Sequence, residues 1–114
     1  MRDKNVKKKS AKNKFGERPL LTVIARITAR KGKEKKVKEA LEALIPPTRR
    51  EKGCVDYELH RAWDNPAAFL FYENWHSKPH LDKHLRQPHL SEFDRAAKGL
   101  LVCPVEITLW KRFA

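Results

Sequence analysis

Glycine is scarce in this chain, four residues in 114. None of the four falls in a phosphate-cradling loop or a dinucleotide fingerprint, motifs that need glycines at fixed spacing so that backbone can approach a pyrophosphate. Nucleotide-dependent enzyme classes are therefore disfavoured. No nucleophile, base and acid occur in the arrangement of a known hydrolase motif either. Cysteine is also rare: Cys54 and Cys103 are isolated, with no CxxC spacing. That pattern gives no zinc motif and fits a reducing compartment, where both thiols serve as small buried residues. No apolar run approaches the roughly 20 residues that cross a bilayer. The basic start is not followed by the hydrophobic segment of a secretory signal. The expectation is a soluble, cytoplasmic protein with no membrane span.

What is abundant is positive charge, +12 formally. Half of the excess lies in residues 1–18, where eight Lys and Arg face only Asp3 and Glu17. With little apolar content beyond Val6 and Phe15, this segment cannot offset the entropy of ordering. It is expected to be a disordered basic tail, with weak, salt-sensitive attraction to nucleic acid or acidic surfaces. Residues 19–114 remain as one small domain.

Leu20 to Ala29, LLTVIARITA, is rich in β-branched residues and is bounded by Pro19 and a Lys31-Gly32 turn, which predicts a strand. Val37, Ala40, Leu41, Leu44 and Ile45 then recur at helical spacing, and Pro46-Pro47 should end or kink that helix. Cys54 to Trp63 alternates Val55, Tyr57 and Leu59 with Asp56, Glu58 and His60, the period of a half-buried strand. Asp64-Asn65-Pro66 reads as a turn and Ala68 to Trp75 as the returning strand of a hairpin. Ser77 can cap a second helix with Pro79 in its first turn. Pro88 interrupts it, and a further helical stretch runs through His89, Phe93, Ala96 and Ala97 to end near Gly99. Val105, Ile107 and Leu109 alternate with Glu106, Thr108 and Trp110 in a last strand.

The order β-α-β-β-α-β is the ferredoxin-like arrangement, an α+β fold with both helical segments on one face of a four-stranded antiparallel sheet. Phe69 and Phe71 fall on one side of their strand, and Leu70 and Tyr72 on the other. Too much apolar surface is then left for an uncovered sheet. A homodimer that stacks two sheets face to face would cover it.

The segments VIARITARKG, PTRREKGCVDYELHRAWDNPAAFLFYENW and LDKHLRQPHLSEF, with their order and turns, resemble the antibiotic biosynthesis monooxygenase family, including its quinol monooxygenase members. The resemblance spans nearly everything from Leu20 to Phe113. It implies a dimeric α+β barrel and oxygenation of a quinol or other small electron-rich aromatic by dioxygen, without flavin, metal or other cofactor. Relatives on the same fold include isomerases and haem-degrading proteins. The haem-degrading members carry a first-strand asparagine where this chain has Ala25, and a ligand histidine near the place of Asp94.

The candidate catalytic residues are His84 and Trp75. Leu81, His84, Leu85 and Pro88 share one helical stripe, so His84 should point toward the sheet, with Glu73 or backbone as its hydrogen-bond partner. An imidazole there suits proton abstraction from a phenol or enol. The anion so formed passes an electron to dioxygen. Trp75 and Tyr72 are candidates to stack on the ring, and Asn74 or Arg26 to stabilise negative charge. Trp75 and Asn74 are strand neighbours, so only one can line a given pocket. Glu73, His89 and His60 complete the set of candidate substrate-binding residues, with His60 on the polar side of its strand. A metal held by His80 and His84 from one helix face is disfavoured, since no carboxylate recurs at ligand spacing. The non-enzymatic alternatives are a small-molecule binding protein and an RNA-binding module. AAFLFYENW lacks the Lys-Gly start of an RNA-recognition strand.

Overall fold

The computed structural model describes residues 19–114, so the expected basic tail, 1–18, lies outside the described residues. Four strands form one antiparallel sheet: β1 (Leu21–Thr28), β2 (Cys54–Ala62), β3 (Asn65–Trp75) and β4 (Glu106–Lys111), in the order β2-β3-β1-β4. This is the ferredoxin-like topology expected from the element order. The rich β-branched run of β1 sits in the middle of the sheet, paired with β3 on one side and β4 on the other.

Each of the two expected helices is made of two pieces. The first is α1 (Glu34–Glu42) followed by α2 (Ile45–Arg49), and the second is α3 (Lys78–Leu85) followed by α4 (Pro88–Ala96). The breaks fall where proline dictates them. Proline removes a backbone donor and biases the preceding residue away from helix, yet is tolerated in a first turn. Pro46 and Pro88 accordingly occupy the opening turns of α2 and α4. Ser77 caps α3 as expected, its hydroxyl accepting from the His80 amide at 3.3 Å. Gly99, at φ 77°, takes the left-handed conformation that closes the α4 segment.

The core lies between the helices and one sheet face. Val23, Ala25 and Ile27 from β1, Tyr57 from β2, Phe69, Phe71 and Trp75 from β3, Val37 and Leu41 from α1, Leu81 from α3 and Phe93 from α4 are all buried. Two expectations of facing are revised. The alternation places Val55 inward with Tyr57, but a register shift between Cys54 and Asp56 bulges it outward to 41% exposure. Leu85 shares a stripe with His84 and Leu81 but lies beyond their packing, exposed at the end of α3.

The opposite sheet face carries Thr22, Ile24 and Arg26 from β1, aligned with Asn74, Tyr72 and Leu70 from β3. Trp110 stands beside Thr22, and Glu58 beside Tyr72. Tyr72 and Trp110 are exposed, and no helix among the described residues covers them.

Candidate active site

The chain enters the site at the turn after α2. Arg49 donates from Nε and Nη2 to the Tyr57 carbonyl at 3.2 and 2.9 Å, which holds this turn against β2. Two residues later, Glu51 points its carboxylate inward. Its Oε2 accepts from His84 Nδ1 at 2.7 Å and from His89 Nε2 at 2.9 Å. His84 comes from the last turn of α3 and His89 from the first turn of α4, so the proline-enforced break between these helices aims both imidazoles at one oxygen. Side-chain exposures are 2% for His84, 11% for Glu51 and 18% for His89.

Behind the cluster is an aromatic wall. The Trp75 indole lies 4.5 Å from the His84 imidazole, centroid to centroid, and Tyr57 meets that ring edge-on at 5.6 Å while stacking on Phe71 at 4.2 Å. Trp75 donates Nε1–H to Glu73 Oε1 at 2.8 Å. Glu73 and Trp75 are two apart on β3 and therefore share the inner face. Glu73, expected as a partner of His84, serves the indole instead.

Burial controls the protonation chemistry. Removing the Glu73 carboxyl from water raises its pKa to about 7, with repulsion from Glu51 in the same direction and the Trp75 hydrogen bond opposing. Burial pushes the His84 pKa below the ordinary imidazole value, against the hydrogen bond and charge of Glu51, and His89 pushes it further down. Burial likewise raises the Tyr57 phenol and, with nearby carboxylates, takes the Cys54 thiol to about 11. Cys54 is therefore a thiol at neutral pH and a poor nucleophile. A neutral His84 donating from Nδ1 leaves Nε2 as its basic nitrogen.

A cavity of about 890 Å³ opens on the cluster, lined by Glu51 and His89 together with Arg50, Lys52, His80 and Lys83. His84 and Trp75 do not line it. Of the sequence candidates, His84, Trp75, Glu73 and His89 are brought together. Tyr72, Asn74, Arg26 and His60 lie on the other sheet face, where Asn74 is bound by Thr22 at 2.5 Å and Asp56 at 3.0 Å. His60 is exposed and contacts the Glu58 carbonyl at 3.1 Å. His80 pairs with Ser77 Oγ at 2.7 Å rather than with His84. Glu51, the centre of the cluster, is not among the sequence candidates. Nothing in RREKG marks it, because its partners are 33 and 38 residues away.

An antiparallel ferredoxin-like sheet, with a carboxylate and two imidazoles clustered where its helices meet, only one of the imidazoles fully buried, defines a small α+β protein. Residues 20–96 match the family described as antibiotic biosynthesis monooxygenase, and the chain belongs to that family. Among its relatives is the Mycobacterium tuberculosis protein named "Putative monooxygenase Rv0793", 35% identical over 89 residues, 78% of this chain and 87% of that protein. The Escherichia coli K12 protein named "Probable quinol monooxygenase YgiN" is 31% identical over 90 residues, 70% of this chain and 86% of that one. A Synechocystis relative, sll1783, is 30% identical over 91 residues, and the match spans only 62% of that longer protein. In structure, PA3566 from Pseudomonas aeruginosa superposes with a TM-score of 0.80 at 34% identity, covering 84% of this chain and 96% of that one. No helix among the described residues is long and apolar enough to cross a membrane.

Proposed function

We propose that the protein is a cofactor-independent monooxygenase that oxidises a quinol or other small electron-rich aromatic with dioxygen. The observation that carries this reading is the Glu51 carboxylate shared between His84 and His89 on the wall of a cavity. His89 gives its Nε2–H to Glu51, which leaves Nδ1 to accept a phenolic proton, and the carboxylate stabilises the imidazolium that results. His84 acts from behind as a positioning residue, locking Glu51 in place, and Trp75 holds His84. The deprotonated substrate is then electron-rich enough to reduce dioxygen. One oxygen atom enters the ring, the other leaves as water, and all the electrons come from the substrate, so that a hydroquinone becomes a hydroxyquinone. The names of the Mycobacterium and Escherichia relatives support the same chemistry.

The open sheet face supports a homodimer in which a second copy covers Ile24, Leu70, Tyr72 and Trp110. On this reading Tyr72, Asn74 and Arg26 belong to the interface side rather than to the substrate.

The test is oxygen uptake by metal-free protein with a panel of quinols and polyhydroxyaromatics, for wild type, His89→Ala and His84→Ala. Uptake above the uncatalysed rate that falls in both variants supports the reading. Absence of uptake across the panel overturns it and moves the assignment to a small-molecule binding protein or isomerase.

A further inference from the structure

The geometry points to a second use of the same cluster: Glu51 Oε2, His84 Nδ1 and His89 Nε2 form a three-donor site for a late first-row divalent cation of the zinc or cobalt type, and the cation blocks the proton-accepting function. The metal site stands on its own geometry; the blocking effect rests on the proposed oxygenase reading.

The three donor atoms lie within 4.8 Å of one another. They come from three separate pieces of chain, the turn after α2, the end of α3 and the start of α4. A cation about 2.0–2.1 Å from each donor places tetrahedral ligands roughly 3.4 Å apart. The two carboxylate–imidazole distances, 2.7 and 2.9 Å, need to open by about 0.7 and 0.5 Å to reach that value. Two imidazoles and one carboxylate suit zinc, cobalt, nickel, copper or iron, whereas magnesium and calcium prefer all-oxygen sets. The cavity wall at Glu51 and His89 provides access and leaves room for solvent in the remaining coordination positions.

The balance is simple. Each coordinating nitrogen gives up the proton it shares with Glu51, to its other ring nitrogen or to water, and offers its lone pair to the cation. No oxidant or reductant is involved. Arg50, Lys52 and Lys83 at the cavity oppose cation binding, but all three are exposed and screened by salt, and Glu92 on the same wall offsets part of their charge. Once the cation is seated, Glu51 no longer orients a free His89, and proton uptake stops.

The experiment is titration of the chelator-treated full chain with Co²⁺, followed by visible absorbance, and with Zn²⁺, followed by calorimetry. The variants are Glu51→Gln, His89→Ala and, as controls for other donors, His76→Ala and Cys103→Ser. The expected result is one equivalent of metal per chain, weakened more than about tenfold in Glu51→Gln and His89→Ala and unchanged in the controls. Near-UV circular dichroism checks that each variant is folded; Glu51→Gln is isosteric and His89 is partly exposed, so both should keep the fold. Failure to bind at one equivalent, or binding lost only in a control, overturns the site. If Zn²⁺ binds as expected and lowers oxygen uptake, both readings stand. If it binds and uptake rises, the metal site stands and the cofactor-independent reading falls.

Discussion

Trp75 lies 4.5 Å from His84, ring centroid to ring centroid, and the two rings are tied to different carboxylates, Trp75 to Glu73 at 2.8 Å and His84 to Glu51 at 2.7 Å. The indole is fully buried and cannot rotate without stranding Glu73. It therefore fixes one side of the imidazole, while Glu51 fixes a nitrogen. A buried acid, Glu73, and a partly buried one, Glu51, thus have separate partners.

Trp75→Phe removes the indole N–H and leaves the buried Glu73 carboxyl without its donor. The expected loss of stability is about 1–3 kcal/mol, measured by urea denaturation. The hydrogen bond opposes the upward shift of Glu73, so its titration midpoint should also move above 7 in the variant. An unchanged midpoint would show that the indole is only packing.

Glu73 makes stability depend on pH in a defined window. Its folded pKa is about 7 against a reference value of 4.5, so the folded state holds the proton more tightly. Stability should then fall as pH rises from about 4.5 to 7 and level off above, since the unfolded state binds fewer protons there. Glu73→Gln keeps an oxygen for Trp75 without a charge to bury. It should be more stable than wild type at pH 8 by on the order of 3 kcal/mol, with little difference at pH 4. Denaturation curves at several pH values test the slope.

Glu51→Gln should lower kcat for the proposed oxidation by about 10²–10⁴, with a much smaller effect on KM. The amide can still accept a hydrogen bond but cannot stabilise a charged His89. Steady-state oxygen uptake normalised to folded protein, quantified by near-UV circular dichroism, separates this from a folding defect, which would leave the rate per folded molecule unchanged.

A Cβ at Gly53 would overlap the His80 ring, although the glycine lies outside the left-handed region. Gly53→Ala should cost about 1–3 kcal/mol by overpacking, and His80→Ala in the same chain should return most of it. The double-mutant cycle is the measurement; simple additivity would show that the two residues do not compete for space.

Trp110→Asp places a charge on the open sheet face beside Thr22. If a second copy covers this face, sedimentation should show a shift from dimer to monomer. An unaltered dimer would put the interface elsewhere.

Much of the fold is written locally. The β-branched run of β1, the helical stripe from Val37 to Ile45, the Ser77 cap and the prolines at 46 and 88 each act within a few residues, so their structural effects can be read from sequence. The same holds for Glu73 and Trp75 sharing a face, which strand alternation requires. His84 turned inward for the reason its stripe with Leu81 implies. Val55 did not follow its alternation, because the bulge is set by pairing with β3 rather than by its own neighbours.

The sequence by itself determined the order of elements, the inward direction of His84, and the apolar surplus on the second sheet face, since hydrophobic period and proline chemistry are short-range. Only the tertiary structure decided that Glu51, from a charged turn, would join His84 and His89, and that Arg26 of β1 would share the opposite face with Tyr72 and Asn74 of β3. The reason is physical: a carboxylate shared by two imidazoles is a relation among three separate pieces of chain, and it exists only after the helices have packed onto the sheet.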